Sequence, residues 1–224
     1  MNLGSVPQAA QELGVSPRRI RKMLADGKLP GQRLGREWVI DPRDLERVRL
    51  RRQPVGRPWN ASSAWALLAL ANGEKPEMNP VERSRAKKRL SEHGLMPLVG
   101  RLRARAELRR VYGHPAVLAR LAEEPAVVRS GVSAAADYGA DIVASNEFEG
   151  YVSARKLKPL VDRYALDEDA EQPNIALHVV ADRVWPFLPG VKVAPRFVVA
   201  LDLLEADDER SRRAGAELAM RPGS

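Results

Sequence analysis

Cysteine is absent from the 224-residue chain. Disulfide frameworks, thiolate zinc sites and cysteine nucleophiles are therefore excluded, in keeping with a reducing cytosol. Histidine is nearly absent: His93, His114 and His178 are the three present, and none stands at a metal-ligand spacing such as HxxxH. Long apolar runs are lacking as well. Ala64 to Ala71 near the middle is eight residues, far below the roughly 20 needed to cross a bilayer, and no signal peptide is apparent. A cytoplasmic protein with no membrane association is expected. The phosphate-binding pattern GxxxxGK[ST], the dinucleotide pattern GxGxxG and the nucleophile pattern GxSxG do not occur. Gly-Ser neighbours stand only at Gly4-Ser5 and Gly223-Ser224, so the opening motif of a nucleotidyltransferase site is missing. The expectation is a protein that is no enzyme and needs neither cofactor nor metal.

What the chain has is basic charge. Its formal net charge is +8, and 44% of its residues are hydrophobic, enough for globular cores in one large or two to three small domains. Residues 1–52 carry 12 Lys/Arg against 6 Asp/Glu, residues 53–130 carry 14 against 7, and residues 131–224 carry 11 against 16. A chain that is basic first and acidic afterwards suggests a nucleic-acid end and an end with another task.

Residues 5–48 concentrate the signals. Ser5 with Gln8 forms a capping-box pattern for a first helix whose Val6, Ala9, Ala10 and Leu13 share a face, and Gly14 stops it. Ser16 caps a second helix, Pro17 suits its first position, and Ile20, Met23 and Leu24 form its inner stripe. Arg18, Arg19, Arg21 and Lys22 are left facing outward. Arg18, Arg21 and Lys22 stand at i, i+3 and i+4 with no carboxylate among them, an arrangement that costs stability unless a polyanion compensates. Alternation through Leu34, Arg36, Trp38 and Ile40 beside Gly31 and Gly35 predicts a hairpin, and Asp41-Pro42 starts a further helix with Leu45 and Val48. Two helices joined by a tight turn, the second cationic, have the layout of a DNA-reading helix-turn-helix.

The run GVSPRRIRKMLADGKLPGQRLGREWVI, residues 14–40, resembles the excisionase and MerR-type winged helix-turn-helix. The resemblance implies that Ser16, Arg18, Arg19, Arg21 and Lys22 face DNA and that Arg33 and Arg36 lie on the wing. Trp38 is expected in the core.

Beyond this stretch, Arg49, Arg51, Arg52 and Arg57 surround Pro54, Gly56 and Pro58 in a basic linker able to track a phosphate backbone. Ser62–Ala71 reads as a core helix. A second basic helix follows Asn79-Pro80, with Val81, Ala86 and Leu90 inward and Arg83, Arg85, Lys87, Lys88 and Arg89 outward. A third helix is predicted for Leu98–Tyr112, with Leu102, Ala106 and Leu108 packed and Arg101, Arg103, Arg105, Arg109 and Arg110 outward. A second DNA-contacting unit and a merely solvated arginine-rich surface both fit these helices. Further on, helices are expected at His114–Leu121 and Ser130–Tyr138, strands at 141–144 and 150–152, a helix at Ala154–Tyr164, a strand at Asn174–Val180, and helices over 195–204 and from an Asp208 cap to Met220. His178 reads as a packed histidine satisfied by backbone. Gly139 separates Asp137 from Asp141 and argues against a carboxylate pair. Asp202 and Glu205, at i and i+3, suit a metal or an arginine, with arginine the preferred partner.

The segments SGVSAAADYGADIV, GYV, NIALHVV, VWPFLPG and VAPRFVVALDLLEADDERSRRAGAEL resemble the C-terminal region of AbiEi-type antitoxins. That resemblance implies an antitoxin and autorepressor paired with a toxin, commonly a nucleotidyltransferase. The expected architecture is mainly α with a small α+β C-terminal domain. It comprises a winged helix-turn-helix at 1–50, a basic linker at 51–58, a basic helical domain at 59–125 and an acidic, partner-binding α+β domain at 126–224. The expected function is a sequence-specific transcriptional regulator on operator DNA with a toxin partner; the alternative is an excisionase-like architectural protein without one.

Overall fold

A computed structural model describes residues 4–13, 16–25, 29–35, 37–42, 44, 58–76, 78–142, 144 and 146–220. The chain divides into two compact units, Met1–Gly56 and Arg57–Ser224.

In the first unit, β1 (Gly4–Ser5) leads into α1 (Val6–Glu12), followed by α2 (Pro17–Ala25) and the strands β2 (Gln32–Leu34) and β3 (Glu37–Ile40). The capping box forms: the Gln8 N–H donates to Ser5 Oγ and the Ser5 N–H to Gln8 Oε1 at 2.8 Å. Ser16 Oγ accepts from the Arg19 N–H at the start of α2. Val6, Ala9, Ala10, Ile20, Met23, Leu24, Leu29 and Ile40 make one core, with Leu13 and Trp38 packed against it. Each large member contributes about 1.5–3 kcal/mol by leaving water. The three strands pair antiparallel in the order β1-β3-β2, with Arg33 opposite Trp38 and Leu34 opposite Glu37. Gly35 turns between β2 and β3 at φ +62°, a conformation few other residues adopt. At Gly31 a Cβ would stand 2.5 Å from Leu24 Cδ2, so the strand entry lies directly on α2. The helix expected to carry Leu45 and Val48 falls outside the described residues.

The second unit holds α3 (Ala61–Ala71), α4 (Pro80–His93), β4 (Glu107–Val111), α5 (Pro115–Glu123), β5 (Val127–Arg129), β6 (Phe148–Ser153), α6 (Ala154–Tyr164), β7 (Ile175–Val180), α7 (Arg196–Glu205) and α8 (Glu209–Met220). Asn60, Asn79 and Asp208 cap α3, α4 and α8 through their side-chain oxygens. The strands form one sheet in the order β4-β7-β6-β5; β6 and β7 run parallel around α6 and both outer pairs are antiparallel. Alternation on β6 and β7 sends Phe148, Val152, Ile175, Leu177 and Val179 into a core with Leu121 of α5 and Leu160 of α6. The opposite face meets a second core containing Trp65, Leu67 and Leu68 of α3, Tyr151, Val180, and Val199, Leu201 and Leu203 of α7.

Several expectations change here. Leu98–Tyr112 is not a helix: two 3-10 turns, Met96–Arg101 and Arg103–Arg105, precede β4, which pairs with β7. Nonlocal pairing with a buried strand outweighs the helix propensity of a Leu, Ala and Arg-rich run. Leu108 is accordingly 41% exposed, as is Val81 at 57%. Ser130–Tyr138 folds as two 3-10 turns, Gly131–Ser133 and Ala136–Tyr138, rather than one helix, and residues 141 and 142 are not strand. The boundary expected at 125/126 does not exist, because β4 and β7 share a sheet and α3 and α7 share a core. Residues 59–125 thus contribute a strand to the sheet and helices to both of its faces, within one mixed α/β unit, and are not a separate helical domain.

Candidate nucleic-acid interface

On α2, the inward positions Ile20, Met23 and Leu24 are buried, while Ser16, Arg18, Arg19, Arg21 and Lys22 are exposed. No acidic residue stands in the first turn of α2. Arg18 and Arg19 therefore stand at the positive end of the helix dipole, a placement that an anionic partner relieves, while Lys22 lies in the last turn. Arg33 is exposed on β2, all three residues of which face solvent, and Leu34 at its end is 65% exposed. Trp38 is half-buried against the core as expected. Arg36, Arg51, Arg52 and Arg57 lie outside the described residues.

The cations of the second unit separate into two kinds. Arg85, Lys87 and Lys88 are exposed on α4, Lys88 lying 3.7 Å from Glu92 one turn on, and Arg89 stacks over the Trp59 ring at 5.7 Å. Arg101 is half-buried, and exposed Arg103 brings Nε to 3.7 Å from Glu205 Oε1. Arg83 is half-buried and turned back on the chain, with Nη2 donating to the carbonyls of Pro76 and Met78. Arg105 is a clear correction to the expected outward row. It is 2% exposed, and its guanidinium is enclosed by Asp202, Glu205 and Tyr151. A buried cation so paired offers nothing to a phosphate.

The Arg105 surroundings form a connected buried network. Nε donates to the Tyr151 hydroxyl at 2.9 Å, Nη1 to the Leu102 carbonyl, and Nη2 to Asp202 and to Glu205 Oε2 at 2.7 Å. The Tyr151 hydroxyl in turn donates to Asp202 Oδ1 at 2.8 Å, and the Ser130 hydroxyl donates to Asp202 Oδ2. The arginine expected for Asp202 and Glu205 is therefore Arg105. His178 stacks on Tyr151 with centroids 4.7 Å apart, and its Nε2 lies 2.8 Å from Glu149 Oε1 and 3.9 Å from Asp202 Oδ1. Its partner is a carboxylate and not the expected backbone group. Burial works against the His178 charge most strongly, yet Asp202 and Glu149 together outweigh it and hold the pKa above the ordinary 6.5. Burial raises the Tyr151 pKa and keeps the phenol neutral. Burial also opposes the Arg105 charge, but the oxygens of Tyr151, Asp202 and Glu205 prevail and raise its pKa. No local pattern marks Glu149 or Tyr151 as partners, since strand alternation shows which face they share but not what lies across from it.

Comparison with known proteins bears on the first unit. Residues 5–53 match a family model described as a helix-turn-helix domain. "Probable plasmid-partitioning protein ParA" of Thermus thermophilus is 49% identical over 44 residues, which are 20% of this chain and 14% of that protein. The chain thus spans about a seventh of the length of this curated relative. No solved structure matches. With α1 and α2 packed through Ala9, Ala10, Ile20 and Leu24 and the family model covering both, the N-terminal unit is a helix-turn-helix domain.

Proposed function

We propose that the protein is a sequence-specific DNA-binding transcriptional regulator, read through a winged helix-turn-helix in which α2 enters the major groove and the β2-β3 hairpin is the wing. The observation that carries this reading is the exposed face of α2, where Arg18, Arg21 and Lys22 stand together and no acid occupies the first turn. Ser16, Arg18, Arg19, Arg21 and Lys22 supply base and phosphate contacts, while Arg33 and Arg36 hold the adjacent backbone. Arg85, Lys87 and Lys88 extend the contact with phosphates. If about six cations meet phosphates, log K falls against log salt with a slope on the order of −5. The Arg18→Ala, Arg21→Ala double variant is expected to lose operator affinity in a gel shift while its circular dichroism stays unchanged. Unchanged affinity in a folded variant removes α2 from the interface.

In the finer reading the chain is the antitoxin and autorepressor of a toxin-antitoxin operon, with a nucleotidyltransferase-type toxin as partner, no catalytic activity of its own and a cytoplasmic location. Its support is the likeness of the C-terminal segments, VAPRFVVALDLLE above all, to AbiEi-type antitoxins. Co-expression with the product of the adjacent reading frame tests it: rescue from growth arrest by the full chain is expected, and absence of any rescue sinks the antitoxin role while leaving DNA binding intact. The short likeness to a partitioning protein covers too little of that protein to carry its task over.

A further inference from the structure

The sheet face that packs on α7 opens beside the Arg105 network into a cavity of about 310 Å3, lined among others by Leu108, Phe148, Glu149, His178, Asp202 and Glu205. Three of these come from three different elements: Glu149 from β6, His178 from β7 and Asp202 from α7. One carboxylate oxygen each of Glu149 and Asp202 and one ring nitrogen of His178 all lie within 4.8 Å of one another. We propose that Glu149, His178 and Asp202 form a binding site for a divalent transition-metal ion, zinc foremost, reached through this cavity.

The donor set fits that class of ion. One imidazole nitrogen with carboxylate oxygens suits zinc and its first-row neighbours, whereas magnesium and calcium favour oxygen alone. Zinc bonds of about 2.0–2.2 Å place tetrahedral donors about 3.2–3.6 Å apart. The His178 Nε2 separations of 2.8 Å to Glu149 and 3.9 Å to Asp202 bracket that spacing, so small side-chain rotations are enough.

Each donor is also held from behind. The Val132 N–H binds Glu149 Oε2, and the Glu149 carboxylate sits where a Cβ on Gly131 would be, 1.7 Å from Oε2. Tyr151 stacks on the His178 ring. Ser130, Tyr151 and Arg105 fix Asp202. Val132 and Tyr151 orient Glu149 and His178 without competing for the metal, as a preorganised site needs, whereas Asp202 Oδ1, the oxygen 3.9 Å from His178 Nε2, is shared with Arg105 and Tyr151.

A further observation is independent of the trio. Glu205 Oε1 is buried and accepts no hydrogen bond, Arg103 Nε lying 3.7 Å away, and Glu205 lines the same cavity. It gives the cavity a third carboxylate beside those of Glu149 and Asp202. Asp202 and Glu205 face the guanidinium of Arg105, and Glu149 faces the His178 ring, whose shared proton a bound dication would displace. The donors lie up to 53 residues apart in sequence, Glu149 to Asp202, which is why no local HxxxH-like spacing announces them.

The test uses the full chain. Equilibrium dialysis against ZnCl2, and the visible absorption of the Co2+-loaded protein, are compared for the unaltered chain, Glu149→Gln, His178→Gln and the surface control His114→Gln, with melting curves to verify that each is folded. One equivalent per chain is expected, weakened about tenfold or more by Glu149→Gln and by His178→Gln and unchanged in His114→Gln. Failure of the folded, unaltered chain to bind an equivalent overturns the site, as does binding that Glu149→Gln leaves intact. Because Glu149→Gln keeps a hydrogen-bonding group beside His178, it decides the matter even if His178→Gln does not fold. Operator binding is measured separately, so loss of the metal site leaves the DNA-binding reading standing.

Discussion

Arg105 shows how much one residue's place depends on partners distant in sequence. Its neighbours in the chain, Arg103 and Arg109, are exposed, and nothing local distinguishes it from them. Its carboxylate partners lie 97 and 100 residues further on. Truncating Arg105 to alanine leaves Asp202 buried without its cation, a change that costs about 3–5 kcal/mol. Urea denaturation should show that loss for Arg105→Ala and almost none for Arg103→Ala. Arg105→Lys should also destabilise, since an ammonium cannot reach Tyr151, Asp202 and Glu205 in one plane. Glu124 gives the pH counterpart. The Tyr164 hydroxyl foremost, then the Ala126 backbone and Arg163, hold its carboxyl below the ordinary 4.5 against the opposing effect of burial. A depressed folded pKa means the stabilisation is complete above the unfolded value and disappears as pH falls through the folded one. Acid titration of stability should therefore lose part of its slope below pH ~4.5 in Glu124→Gln and in Tyr164→Phe.

At the scale of the element, what was legible were pieces whose signals are local. The Ser5-Gln8 capping box, the inner stripe of α2, α6 over Ala154–Tyr164 and the Asp208 cap of α8 follow the sequence closely. β4 was not legible, because Glu107–Val111 becomes a strand only by pairing with Ile175–Val180. β5 was hidden for the same reason, three residues being too short to stand out. The candidate interface could be read from α2 alone, whereas the cavity trio could not, since it requires knowing that β6, β7 and α7 meet. Helix contact yields its own test. A Cβ at Gly215 of α8 would stand 2.7 Å from the Ala200 carbonyl and 2.8 Å from the Leu204 nitrogen of α7. Gly215→Ala must push the helices apart, and a loss of about 1–3 kcal/mol is expected in thermal unfolding.

Across the whole molecule, charge is unevenly shared between the two units. Met1–Gly56 holds 12 Lys/Arg against 6 Asp/Glu, while Arg57–Ser224, three times as long, holds 25 against 23. Long-range attraction for a polyanion therefore originates mainly in the helix-turn-helix unit. In the full chain, Arg18→Ala with Arg21→Ala is expected to make the salt dependence of DNA binding shallower by about 2. Arg85→Ala with Lys87→Ala should shift it by a similar amount if both meet phosphates, and a slope left unchanged by the α4 pair confines the footprint to the first unit.

The pairing of β4 with β7 and of Arg105 with Asp202 also sets an order of events at the ribosome. At about 5–20 residues per second, several seconds separate the emergence of Arg105 from that of the carboxylates that neutralise it. During that interval the edge of the sheet has no neighbour and the arginine has no counter-ion. A message cut short before the codon for Asp202 thus yields a product that cannot close its own interior, and such fragments are expected to be cleared by proteases rather than to compete with the complete protein for DNA.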